Sequence, residues 1–159
     1  MSTSRRVLLI RSGLCLATAA APTLVRAAAP LAVIVGTGCK LDSVSKAELK
    51  RLFLGETDNI SGNVLVPFNM AASLPERSIF LKAVLGMTPD QESKYWIDRR
   101  IRGQGGSPKS APNIDALLKV AAKFPKAITY VPATLTKPDV KVLRVEGKLP
   151  TDAGYSLVG

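Results

Sequence analysis

From residue 30 onward, apolar and polar positions alternate between strand-like runs and helix-like stripes. Leu31–Val35 (LAVIV) is a β-branched run closed by Gly36-Thr37-Gly38, which predicts a buried strand and a tight turn. Ser45-Lys46-Ala47-Glu48 has the form of a capping box. The helix it opens carries Leu49, Leu52 and Phe53 on one face and stops at Gly55. Asn59–Asn63 is turn material, and Val64–Phe68 predicts a second strand in which Pro67 marks an end or an edge. Ser73-Leu74-Pro75-Glu76 has the form of another capping box, for a helix running to about Leu85 with Ile79, Phe80, Ala83 and Val84 inward and Gly86 after it.

Thr88-Pro89-Asp90-Gln91 caps a third helix bearing Tyr95, Trp96 and Ile101, and Gly103–Pro112 predicts a glycine/proline loop. Asn113 caps a fourth helix with Ile114, Leu117, Leu118, Ala121 and Phe124 on one stripe, ended by Pro125. Ile128–Val131 and Val140–Val145 are the last two strands, and the segment from Gly147 to Gly159 predicts weak structure. The order β-α-β-α-α-α-β-β predicts an α/β domain, a mixed sheet flanked by helices in two or three layers.

The N-terminus follows a different pattern. Residues 1–11 hold Arg5, Arg6 and Arg11 and no acid; an alanine-rich apolar stretch from Ser12 to Val25 follows, then Ala27-Ala28-Ala29. That is the charged, apolar and small-residue succession of a secretory signal. It is too short for a membrane span and is interrupted by Pro22. Ser4-Arg5-Arg6-Val7-Leu8-Leu9 also fits a twin-arginine signal, so both export routes stay open. The expected organisation is a signal over residues 1–27, a domain over 28–146 and a tail over 147–159, with a periplasmic destination.

Composition narrows the chemistry. The 159 residues carry a net charge of +10, no histidine and two cysteines, with 47% hydrophobic residues. Without histidine there is no Ser-His-Asp or Cys-His triad, no imidazole metal ligand and no imidazole pH switch. Cleavage after Ala27 would leave 132 residues with 18 basic and 12 acidic side chains, a charge of +6, and Cys39 as the one cysteine. No internal disulfide then forms, and Cys39 reads as a small buried residue. Arg99, Arg100 and Arg102 read as a solvated helix face rather than a nucleic-acid patch, since aromatics make up 5% of the chain. No G-x-S-x-G motif and no carboxylate cluster occurs, which argues against an enzyme, a metal and a cofactor.

Three segments carry a family resemblance. Leu41-Asp42-Ser43-Val44-Ser45 through Leu52-Phe53-Leu54-Gly55 resembles a helix ending in I-F-L-G. Val64-Leu65-Val66-Pro67 is followed by Phe80-Leu81-Lys82-Ala83-Val84-Leu85-Gly86. Pro125-Lys126-Ala127-Ile128-Thr129-Tyr130-Val131 is similar to P-G-A-I-G-Y-V. In this order they resemble the phosphate-type substrate-binding proteins of bacterial ABC importers, in particular small single-lobe members with a tryptophan helix and a glycine-rich loop like Tyr95-Trp96 and Arg102–Pro108. The resemblance implies a single lobe of a type 2 periplasmic-binding-protein fold.

It departs at the family's phosphate loop, an arginine followed by Ser-Gly-Thr. Counted back from Phe80, those positions hold Met70 and Leu74-Pro75-Glu76, and Glu76 would repel an anion. Fold therefore transfers further than phosphate specificity. The candidate ligand-binding residues are Arg102, Gly103, Gly105, Gly106 and Ser107, in a loop ahead of the Asn113 helix, together with Ser73 and Arg77 near the family's loop. Each has a structural alternative: a flexible connection for the loop, a helix cap for Ser73. Two functions stand side by side. One is a periplasmic solute-binding or sensing protein for a small anion. The other is an interaction module that pairs with itself or with a membrane transporter or sensor and no longer binds phosphate.

Overall fold

A computed structural model describes residues 29–159; the expected signal over 1–27 lies outside them. The chain begins with strand β1 (Leu31–Gly36), a short β2 (Ser43–Val44) and helix α1 (Lys46–Phe53). A small hairpin of β3 (Asn59–Ile60) and β4 (Asn63–Val64) leads into β5 (Val66–Met70). Helix α2 (Pro75–Phe80) continues as a π-helical turn (Leu81–Leu85), and α3 (Pro89–Ile101) follows. Then come β6 (Lys109–Ala111), α4 (Ile114–Lys123), β7 (Ala127–Pro132), β8 (Val140–Val142) and β9 (Arg144–Val145).

Five strands form one mixed sheet in the order β6-β5-β7-β1-β8. β6, β5 and β7 run parallel, whereas β1 is antiparallel to both β7 and β8. Every residue of β1 and β7 is buried, so both faces of the sheet are covered there, and this is why LAVIV reads as an unbroken apolar run. On one face Phe80 stacks on Tyr130 with ring centroids 3.8 Å apart, and Phe53 packs against Phe80 at 4.7 Å. Helix α4 packs along β1 and β7, and its exit passes close over Gly36. A Cβ at Gly36 would sit 2.8 Å from Pro125 Cα and 2.9 Å from the Ala121 carbonyl, so only glycine fits.

The caps Ser45, Thr88 and Asn113 are where the sequence predicts them, and the first two form complete capping boxes. Ser73 departs from expectation. The N-cap of α2 is Leu74 (φ −87°, ψ 134°), no side chain caps the helix, and Ser73 is exposed. Pro75 is the reason: it fills the first helical position and forces its predecessor into extended backbone.

Pro67 is another departure, because β5 is interior to the sheet. β6 pairs only with Phe68–Met70, so the missing N–H at Pro67 falls where that side of β5 has no partner. The predicted loop Gly103–Pro112 contains β6, and Val140–Val145 is split at Leu143 so that β9 can pair with β2. Phe124, expected on the apolar stripe of α4, is 59% exposed, and Ile101 at the end of α3 is 80% exposed. The tail expected to be weakly structured has turns but is anchored. Leu31 N–H donates to the Leu157 carbonyl at 2.8 Å, the Tyr155 hydroxyl donates to the Leu31 carbonyl at 2.7 Å, and both Tyr155 and Leu157 are buried.

Candidate binding site

Three neighbouring strands place polar side chains on one face of the sheet. Register pairs Asn69 of β5 with Ser110 of β6 and Pro67 with Ile128 of β7, which sets Asn69 beside Tyr130 two residues further on. The Tyr130 hydroxyl donates to Asn69 Oδ1 at 3.5 Å and accepts from Arg77 Nη1 at 3.3 Å. Arg77 Nη2 donates to the Glu92 carboxylate, forming a buried ion pair between α2 and α3. Four elements are thus tied through one polar chain, Glu92–Arg77–Tyr130–Asn69, all of it buried. Burial holds the Tyr130 phenol above its ordinary pKa, with the Arg77 charge opposing the shift, so it stays a neutral donor.

Next to this chain lies a cavity of about 330 Å³ lined by Arg77, Glu92, Ser93, Trp96, Arg100 and Ser110, with Ile97, Ser107 and Pro108 completing it. Its chemistry is donor-rich. The lining residues include three serines, two arginines and one glutamate, and Arg100 is exposed with no ion-pair partner among the described residues. The buried Trp96 indole N–H also lacks a hydrogen-bond partner, an unsatisfied donor of the kind that native interiors seldom keep. Among the described residues no three His, Cys, Asp or Glu side chains converge on a point. No described helix is long and apolar enough to cross a membrane.

Of the residues the sequence singles out, the cavity brings together Arg77 and Ser107. Ser73 does not line it, and neither do Arg102, Gly103, Gly105 or Gly106. Arg102 is exposed and pairs with Asp98 at 3.1 Å, one turn back on α3. Gly103, at φ 68°, ends α3 in left-handed backbone, its N–H bonded to the Arg100 carbonyl while Gln104 N–H reaches Arg99. Along the chain, strand β6 lies between this glycine loop and α4.

Arg99 is not part of a solvated face. Its Nη1 donates to the Tyr95 hydroxyl at 3.0 Å, and its Nη2 donates to the carbonyls of Gly55 (3.1 Å) and Gln104 (2.9 Å). The guanidinium also lies 5.7 Å and 5.8 Å from the Tyr95 and Trp96 ring centroids. Arg99 therefore ties the glycine loop and α3 to the end of α1. Sequence reasoning missed Asn69, Glu92, Ser93, Arg100, Ser110 and Tyr130 as site residues. Only the register and the α2–α3 pairing assemble them, and no local motif marks them.

No protein-family model and no curated protein sequence matches the chain. Solved structures do. An ABC-type phosphate transport receptor from Vibrio cholerae superposes with TM-score 0.66 at 15% identity, over 82% of this chain and 53% of that one. PstS from Borrelia burgdorferi gives TM-score 0.66 at 16% identity, over 83% and 55%. A Clostridium perfringens protein of the phosphate ABC transporter substrate-binding class, solved with bound phosphate, gives 0.65 at 15%, over 79% and 48%. The fold is that of about half of these binding proteins, as expected for a single lobe, and the chain spans about half their length.

Proposed function

We propose that the chain is a non-enzymatic binding module of the cell envelope that takes a small oxyanion in the cavity between α2, α3 and β6. The observation that carries this reading is the lining itself: Arg77, Arg100, Ser93, Ser107 and Ser110 converge in one cavity beside the Glu92–Arg77–Tyr130–Asn69 chain. Hydroxyl and guanidinium donors are what a tetrahedral or planar oxyanion requires. The fold shared with phosphate-binding proteins, one of them carrying phosphate, supports the ligand class. A leader of the export type in the first 27 residues supports a periplasmic location. The same likeness supports a role in transport or sensing, beside a membrane partner.

One lobe by itself does not enclose a ligand, so binding by the described residues is weak, with a Kd on the order of 1 mM, roughly −4 kcal/mol. The test is a thermal-denaturation titration with inorganic phosphate and with sulfate, at ionic strength matched by sodium chloride. Native-state binding raises Tm by mass action. The expected rise is lost in Arg100→Ala and reduced in Ser110→Ala. A Tm indifferent to both anions at tens of millimolar, or a rise that both variants retain, overturns the reading.

A further inference from the structure

A second cavity lies on the opposite face of the sheet edge. It holds about 530 Å³ and is lined by Val66, Phe68, Phe124 and Pro125, with Lys109 and Lys126 among its walls. Register explains why it is separate from the oxyanion cavity. Phe68 pairs with Lys109 and the next pair is Asn69 with Ser110, so side-chain alternation sends the two pairs to opposite faces. Val66 and Phe124 are 47% and 59% exposed, and α4 ends one residue before Phe124, which turns into extended backbone and away from the core. Large apolar side chains gathered in one exposed groove mark an interaction surface more often than chance.

Three features identify what fits. Neither Lys109 nor Lys126 has an ion-pair partner among the described residues, so the groove offers apolar walls with two uncompensated positive charges. A second copy docked through the same patch would press these lysines against their own equivalents in a contact emptied of water. The N-terminal residues of this chain carry Arg5, Arg6, Arg11 and Arg26 and are repelled in the same way. Strand addition is also disfavoured, because Pro67 has no N–H to offer and Lys109 opens the short edge strand. The occupant therefore enters with side chains. The apolar residues line a concavity rather than a protruding surface, a shape suited to a side chain and not to a bilayer.

We infer that this groove docks a protein segment in which apolar side chains are flanked by aspartate or glutamate. The inference does not depend on the oxyanion reading, since the two cavities lie on opposite faces. The test uses the ¹⁵N-labelled chain and three synthetic peptides of about twelve residues with a common Leu-Phe centre, flanked by acidic, by amide or by basic side chains. The acidic peptide should bind at least about tenfold tighter than the amide one, equivalent to roughly 1.4 kcal/mol. It should perturb the amides of Val66, Phe68, Lys109 and Ala127, and it should weaken with salt. Lys109→Gln with Lys126→Gln should erase the acidic preference. Phe124→Ser, at an exposed position, should weaken all three peptides without unfolding the chain, and Arg100→Ala should leave them unaffected. Equal affinity for the three peptides, or no perturbation at millimolar peptide, overturns the inference. So does a concentration-dependent dimer dispersed by Phe124→Ser, or Phe124-dependent sedimentation with phosphatidylglycerol vesicles.

Discussion

Arg77 on α2 and Glu92 on α3 neutralise each other in a buried ion pair, and Arg77 is in turn bonded to Tyr130 on β7. The side chains are 9% and 11% exposed, so the pair is close to fully desolvated. Two consequences compete. The pair holds the two helices together beside the cavity between α2, α3 and β6, and it also offsets much of the Arg77 charge.

Glu92→Gln should leave a buried guanidinium without its counter-charge and destabilise the fold by about 3 kcal/mol. The double variant Arg77→Met/Glu92→Leu removes both charges and should recover to within about 1 kcal/mol of the parent. Urea denaturation of the three proteins checks this. If Glu92→Gln alone costs less than about 0.5 kcal/mol, the pair is not holding α2 to α3.

Gly36→Ala should cost about 1–3 kcal/mol although it adds one methyl group. The new Cβ meets backbone atoms of Pro125 and Ala121, which cannot rotate away as a side chain would. Relief requires the α4 exit to lift from β1, so amide exchange should quicken in α4 and β1 while α3 is spared.

Ser45→Ala and Ser73→Ala should differ, although both serines begin a Ser-x-x-Glu sequence. The Ser45 hydroxyl accepts the Glu48 N–H at 3.2 Å and donates to its carboxylate at 2.7 Å, so its loss should cost about 1 kcal/mol near neutral pH. Ser73 caps nothing, and its removal should stay within about 0.5 kcal/mol. Hydrogen bonds from the Ser45 N–H and hydroxyl hold the Glu48 carboxyl below its usual pKa of 4.5. Their contribution is therefore present above the unfolded-state value and is lost as pH falls through the lower folded-state value. The gap between parent and Ser45→Ala should narrow on acidification, which a series of melts from neutral pH to about pH 3 would show.

Tyr155 predicts an alkaline counterpart. Burial raises its phenol above the usual 10.0, and the neutral hydroxyl donates to the Leu31 carbonyl. A raised folded-state pKa contributes stability that is complete below the unfolded-state value and is lost as pH rises through the folded one. Stability should fall from about pH 10 upward. Tyr155→Phe should be weaker by about 1 kcal/mol at neutral pH but decline less steeply in alkali, with Tyr130 accounting for part of the remaining slope.

The helix starts at Ser45, Thr88 and Asn113 were legible because each cap closes its hydrogen bond within one turn, on a neighbour three residues away. The buried strands β1 and β7 were legible because a strand covered on both faces must be apolar throughout. Ser73 misled for an equally local reason, the steric demand of Pro75. Strand β6 was not legible: Lys109-Ser110-Ala111 has no apolar alternation and exists as a strand because β5 offers a partner. Phe124 continued the stripe of α4 on paper, but the helix stops one residue earlier and turns it outward.

By itself, then, the sequence determined the helices, the buried strands, the α/β class and the absence of histidine chemistry, all of which depend on neighbours in the chain or on composition. Only the tertiary structure decided where polar groups meet. Asn69, Arg77, Glu92, Ser110 and Tyr130 come from five separate elements, and strand register and helix packing bring them together. The same register sends Phe68 and Lys109 to the other face, creating two unlike cavities from adjacent residues of one sheet edge. A side chain's face follows from alternation along its strand, but what it faces follows from long-range pairing, and no local spacing records that.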